Sequence, residues 1–230
     1  WFSEYARPPV GRDGGPLAIL KDLAEIGRKK SEGLPDESFT IRGLWRTDLL
    51  FRPNPTERTF NYTYLLVQTV GEGACYCDNI PPLKEGFQLL GKDCRRIKPG
   101  YRCFEVASLD AMFSAFEKHP HKTHTNTGNS ADKALWRSRI VSDEVMRQLA
   151  LLDRENGRVA NVGVIGNIIR MLRAEGVDVY GTDGDPLLVG SEIAGVRILD
   201  QDMSIKLVEE ADVAVITGMI ISTDTMDEIL

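Results

Sequence analysis

Gly163, Gly166 and Asn167 close the run VGVIGN, where an apolar segment passes into an amphipathic one. A strand-to-helix turn of that kind gathers backbone N–H groups at the positive end of a helix, and a residue without a Cβ lets a phosphate or carboxylate approach them. The spacing is G-x-x-G-N and not G-x-G-x-x-G, so the same residues also read as a tight turn that needs small side chains, with Asn167 capping the helix. Asp183 stands 20 residues beyond Gly163. That is where an acidic side chain accepts hydrogen bonds from a ribose in S-adenosylmethionine or nicotinamide sites. Asp183 and Asp185 also belong to Thr-Asp-Gly-Asp-Pro, which is turn chemistry in any protein. Thr217 and Gly218 end a second apolar strand on the same rim, where hydroxyl and N–H groups would hold a carboxylate or phosphate. Thr223 serves such a ligand or the N-cap of the helix that follows.

Two further groups point to metals. Cys75 and Cys77 alternate with Tyr76 on a strand, so both thiols face one side and offer soft ligands to a heavy-metal ion, or simply pack in a core. His119, His121 and His124 fall in the polar run HPHKTHTNTGNSADK, with Asn126 and Asn129 nearby. Neutral imidazoles are common metal ligands, but no acidic or cysteine partner adjoins these three, and a solvated loop is the simpler reading. The chain contains no G-x-S-x-G, H-E-x-x-H or G-x-x-x-x-G-K motif, so spacing assigns no nucleophile and no catalytic residue.

The elements that must position these residues follow from periodicity. Pro16 opens a helix over 17–32 with Leu17, Leu20, Leu23 and Ile26 on one face. Strand-like runs occupy 39–51, 60–70 and 74–80, and their short links predict an antiparallel meander. Helices are expected over 102–118, with Phe104, Ala107, Leu109, Phe113 and Phe116 inward, and over 132–152, with Trp136, Ile140, Val145 and Leu149 inward. The second half alternates: strand 159–165, helix 167–175, strand 177–181, strand 196–199, helix 203–210 and strand 212–217. The near-continuous apolar runs suit a parallel sheet covered on both faces, with 212–217 buried. The expected class is α/β: a small α+β meander domain over 1–130, then a Rossmann-like domain over 131–230 with helix 132–152 as connector. Four strands make a thin sheet, which suggests a shortened chain or a partner, such as a second copy, over its edge.

Composition narrows the setting. The chain has 230 residues, 42% of them hydrophobic and 27% charged, with a net charge of −6 and no long basic run. That argues against nucleic acid as the partner. No apolar stretch nears the roughly 20 residues of a membrane helix, and the first residues, WFSEYARPP, lack the pattern of a signal peptide. Four cysteines without framework spacing read as reduced thiols of a cytoplasmic protein.

VGVIGN, YGTDGDP and ADVAVITGMIISTDTMDEIL together resemble the Rossmann-like domain of the heavy-metal-chelation family. The meander, the FEVASLDAMFSAF helix and the linker resemble that family's smaller domain, whose fold is similar to the N-terminal domain of enolases. The resemblance implies a cleft between two domains that holds a small polar ligand, a metal chelate or its precursor, and it strengthens the case for Thr217 and Gly218. Family members continue beyond the point matching Leu230. The competing expectation is a biosynthetic enzyme using S-adenosylmethionine or a nicotinamide cofactor, with Asp183 on the ribose.

Overall fold

A computed structural model describes residues 18–52, 59–77, 80–97, 100–116, 127–154, 156–222 and 225–229. Its elements run α1 (Ala18–Lys30), β1 (Gly43–Phe51), β2 (Phe60–Gln68), β3 (Glu72–Tyr76), α2 (Leu83–Phe87), α3 (Arg102–Ser114) and α4 (Ser130–Leu151). They continue as β4 (Arg158–Val162), α5 (Gly166–Ala174), β5 (Asp178–Asp183), β6 (Glu192–Ile193), β7 (Val196–Asp200), α6 (Ser204–Glu210), β8 (Val213–Ile216), α7 (Met219–Ser222) and α8 (Met226–Ile229). The class is α/β, with a small three-stranded sheet followed by a mostly parallel five-stranded one. Contacts divide the chain into two units. The first runs to Leu49, resumes over Asn61–His121 and includes Ser222–Asp227; the second holds Leu50–Phe60, Lys122–Ile221 and Glu228–Leu230.

In the first unit the sheet order is β1-β2-β3. β2 pairs antiparallel with β3, Tyr64 opposite Tyr76 and Gln68 opposite Glu72. The link between them is closed by Thr69, whose N–H donates to Gly71 O (2.8 Å) and whose Oγ1 accepts from Gly71 N (3.1 Å). Gly73 and Cys75 are the inward residues of β3, and α3 lies directly on them. Phe39, Ile41, Leu65, Val67, Phe104, Ala107 and Met112 fill the core beneath. Leu17 lies outside the described residues; within α1 Ile26 departs from expectation at 47% exposed, and Gly27 is the buried residue beside it. A Cβ on Gly27 would overlap the terminal methyl of Met112, so the small residue is what admits that side chain.

An ionic cluster seals one side of this core. Arg95 donates to both carboxylate oxygens of Asp93 and to Asp36 (2.5 Å), and its guanidinium lies 4.5 Å from the centre of the Phe39 ring. Burial pushes the Asp93 carboxyl up, but hydrogen bonds and charge from Arg95 outweigh it and hold the group below the usual carboxylate range. A carboxyl whose pKa is depressed on folding contributes stability above its unfolded pKa and loses it as pH falls through the folded one. Denaturation of the native chain should therefore show an acid-side loss of stability, beginning below about pH 4. Asp93→Asn should be less stable at neutral pH and lose less on acidification. Parallel pH–stability curves for the two proteins would refute this assignment.

In the second unit the sheet order is β6-β7-β5-β4-β8. β7, β5, β4 and β8 are parallel, and β6 is an antiparallel two-residue strand against β7 that periodicity did not reveal. Val159, Val179 and Ile198 from the strands meet Ile168, Ile169 and Leu172 of α5 and Val145 and Leu149 of α4. α4 packs along α5, and buried Ser142 reaches across with its Oγ 3.8 Å from the sulfur of Met171. Trp136 and Ile140, expected on this face, are half-buried. Asn129 and Asp132 form a reciprocal capping box that starts α4 two residues before the predicted position. β8 departs from the expected buried strand. It occupies the end of the strand order with β4 as its neighbour, so Ala214 is exposed and Val213, Val215 and Ile216 are half-buried.

Candidate functional site at the carboxyl rim of the parallel sheet

β5, β4 and β8 lie side by side and parallel, so their carboxyl ends form one rim. Gly163 follows β4 directly and takes φ +71°, a conformation that only glycine adopts without strain. A Cβ there would also strike Thr217 Oγ1, so the threonine lies against the glycine. The turn that begins at Gly163 is braced residue by residue. Gly163 N donates to Thr182 O (2.9 Å), Val164 N to Asp183 Oδ2 (2.8 Å) and Ile165 N to Asn161 Oδ1 (3.0 Å).

Asn161 is the residue that sequence reasoning missed. It sits in β4, 1% exposed, and its amide nitrogen also donates to Gly163 O and Val215 O, both at 3.3 Å. One side chain thus ties the β4 turn to β8. The available signal was a single polar residue inside the otherwise apolar run VANVGVIG. A buried amide must find partners for its donors and acceptor, so it marks a place where backbone leaves regular pairing. Thr182 and Ser204 form a second buried polar pair under the rim, their hydroxyls 2.8 Å apart.

The internal bonds use the N–H groups of Gly163, Val164 and Ile165, so these do not face a ligand. The first two N–H groups of α5, those of Gly166 and Asn167, have no backbone acceptor among the described residues, as is usual for the first turn of a helix. Asn167 does not cap α5, contrary to expectation. Ile165 holds the N-cap position without a side-chain bond, which places Asn167 inside the first turn, and its Oδ1 accepts from Arg170 Nη1 (3.0 Å). Gly166 has little spare room, since a Cβ would stand 3.3 Å from Arg170 Nη1 and 3.6 Å from Ile193 Cδ1.

Asp183 ends β5, and its side chain meets the turn that begins at Gly163. Each of its carboxylate oxygens already accepts one backbone N–H: Val164 on Oδ2 and Asp185 on Oδ1, both at 2.8 Å. Each oxygen keeps a further lone pair for a ligand hydroxyl. Asp185 behaves as turn chemistry, with Oδ1 accepting from Leu187 N (2.9 Å). Asp200, paired in register with Asp183 on β7, accepts from Asp202 N (3.1 Å). The β5–β7 side of the rim is therefore acidic and suits hydroxyl or cationic groups, while the α5 side suits an anion.

Thr217 follows β8, and its N–H donates to Val162 O (3.1 Å). Its Oγ1 is buried and has no hydrogen-bond partner among the described residues, which is costly for a hydroxyl. Gly218 is exposed with open space around it, so nothing local demands a glycine there. Thr223 lies outside the described residues, as do His119, His121 and His124. Cys75 and Cys77 do share the inward side of β3 and its exit, 6% and 4% exposed, in the first unit and not on the rim. Among the described residues no group of three or more His, Cys, Asp or Glu side chains is placed to hold a metal ion. No described helix is long and apolar enough to cross a membrane. The first unit carries an open cleft of about 510 Å³ lined by Glu85, Lys92, Arg96, Tyr101 and Phe104 among others, and its lining includes none of the candidate site residues.

No protein-family model matches this chain, and no curated protein matches it in sequence. Among solved structures it is similar to a protein of unknown function from the DUF364 family of Pyrococcus horikoshii, at 15% identity and a TM-score of 0.50, covering 92% of this chain and 73% of that one. The two share a fold. The MycE methyltransferase of the mycinamycin biosynthetic pathway, solved with Mg, SAH and mycinamycin VI, aligns over 93% of this chain and 75% of its own, at 12% identity. Its TM-score of 0.28 does not establish a common fold.

Proposed function

We propose that the second unit binds a small polar ligand at the carboxyl rim of its parallel sheet. One observation carries this reading: Gly163, Asp183 and Thr217, spread over 55 residues of sequence, end three adjacent strands at one place, next to the open N–H groups of α5. In open parallel sheets ligands sit outside the carboxyl ends of the strands. The hydroxyl-bearing part of the ligand would lie on Asp183, and an anionic part on Gly166 and Asn167. This division favours a ribose-containing cofactor, S-adenosylmethionine or a nicotinamide dinucleotide, as the first compounds to titrate. A metal chelate or its precursor, which the family resemblance suggests, is the second reading, and the same rim would receive its carboxylates at α5.

The test begins with native mass spectrometry and elemental analysis of freshly purified protein, followed by calorimetric titration of both cofactors and of metal-loaded and metal-free carboxylate chelators. Asp183→Asn keeps one acceptor oxygen for the turn while removing the charge. It should weaken a ribose ligand by about tenfold or more, the value of one charge-assisted hydrogen bond. It should leave a chelate bound at α5 nearly unaffected. Wild-type protein that binds none of these compounds, or ribose binding indifferent to Asp183→Asn, would overturn the assignment. Thermal melts of both proteins separate a lost contact from a lost fold.

A further inference from the structure

The cleft of the first unit has walls fixed by backbone bonds. One wall is the segment from Leu89 to Asp93, tied to the chain before β1. Ile41 N donates to Lys92 O and Gly91 N donates to Ile41 O, both at 2.9 Å, and Thr40 bridges Asp93. Lys92 N turns back to Leu89 O at 3.0 Å. The other wall is the start of α3. There Phe104 N donates to Tyr101 O (3.1 Å), and the Phe104 and Tyr101 rings meet edge to face with centres 6.1 Å apart.

The lining is of two kinds. Phe104, 2% exposed, forms an apolar floor with half-buried Tyr101, Leu89 and Ile97. Lys92, Arg96 and Glu85 are exposed and stand at the mouth. Asp93 also lines the cleft, but its charge is committed elsewhere. Both of its oxygens accept from the guanidinium of Arg95, which is not part of the lining. Arg96 approaches Asp93 only to 3.7 Å, with its side chain 80% exposed, and Lys92 forms no ion pair among the described residues. The cleft therefore offers an excess of positive charge above an aromatic floor, on a chain whose net charge is −6.

We propose that this cleft binds a small aromatic carboxylate, with its ring against Tyr101 and Phe104 and its carboxylate on Lys92 and Arg96. The volume of about 510 Å³ falls within the usual range for small-molecule sites. Aromatic rings favour edge-to-face and offset partners over aliphatic ones of equal area, and a guanidinium matches the two oxygens of a carboxylate. The Tyr101 hydroxyl and the Glu85 carboxylate have no hydrogen bond among the described residues, so both remain for a hydroxyl on the ring. Glu85 also repels a second anionic group, which disfavours phosphates and dicarboxylates. Because backbone pairing already holds both walls, binding orders little of the chain. The site is independent of the ligand rim, since its whole lining belongs to the first unit.

The experiment titrates the full chain with para-hydroxybenzoate and follows amide shifts in isotope-labelled protein. Saturable binding is expected with a dissociation constant of about 1 mM or tighter. The shifts should fall at Lys92, Arg96, Gly100 and Tyr101 and leave Gly163, Gly166 and Asn167 unmoved. para-Hydroxybenzyl alcohol lacks the charge and cyclohexanecarboxylate lacks the aromatic ring, so each should bind at least about threefold more weakly. Exposed ion pairs are individually weak, so Lys92→Gln combined with Arg96→Gln should weaken binding about tenfold, and added salt should do the same progressively. Tyr101→Leu keeps apolar area and should still cost about threefold. Failure to saturate, shifts confined to the rim, equal affinity for the alcohol, inorganic phosphate binding as tightly, or a double variant that binds like the native chain would each overturn the proposal.

Discussion

Gly73→Ala is expected to destabilise the first unit by at least about 3 kcal/mol, the upper end of the ordinary cost of overpacking. The added methyl would overlap the carbonyl oxygen of Ala107 and the backbone nitrogen of Ala111. Side chains relieve such overlap by turning, but these atoms belong to the hydrogen-bonded frame of α3, so the whole helix must lift from β3. Lifting it opens contacts across Cys75, Ala107 and Met112, all buried, and the lost packing adds to the overlap. Gly73 has no left-handed φ, so backbone strain contributes nothing and the effect isolates the helix–strand approach. Gly100→Ala is the control, since open space surrounds that position, and it should stay within about 0.5 kcal/mol of the native protein. Denaturant titration of the three proteins measures both. A Gly73→Ala protein as stable as the control would mean that α3 does not seat on β3 as described.

That close approach explains which parts of the fold were legible. Element types followed from apolar periodicity, because each helix and strand buries one face and the period of burial is written in residue types. α4, α5 and the strands β4, β5 and β7 appear within a few residues of their predicted places. What the pattern conceals is decided by pairs of elements. Gly27 and Gly73 are buried because of what lies opposite them, not because of their own hydrophobicity, and Ile26 is displaced outward as a result. β8 has the composition of an interior strand and holds an end of the strand order, since apolar content does not encode the number of neighbours. The rim was legible for a different reason. A parallel sheet places the ends of its strands together whatever the intervening sequence, so glycine, aspartate and threonine at successive strand ends had to converge. The brace beneath them was not legible, because Asn161 acts through backbone atoms of β4 and β8 whose pairing is not marked in the sequence.

Asn161→Ala should cost about 3 kcal/mol and should disturb the rim more than it disturbs the sheet. The substitution leaves Ile165 N–H, Gly163 C=O and Val215 C=O without their side-chain partner in a site 1% exposed. Each buried group left unpaired costs about 1–3 kcal/mol, and the carbonyl bonds at 3.3 Å lie at the weak end of that range. The local consequence is larger than the global one. The Ile165 bond fixes the residue that precedes α5, so its loss frees the approach to Gly166 and Asn167 while Val164 remains tied to Asp183. Hydrogen exchange separates the two effects: the Ile165 amide should lose its protection, and amides within β4 and β5 should weaken only by the global amount. Asn161→Asp sharpens the point. It keeps an oxygen for Ile165 but sets a carboxylate against two carbonyl oxygens, so it should destabilise the sheet at least as much as alanine while preserving relative protection at Ile165. Unchanged exchange at Ile165 in Asn161→Ala would show that the turn is held by Asp183 and the Gly163–Thr217 contact alone. A rim with that much independent support would keep its turn geometry in both variants.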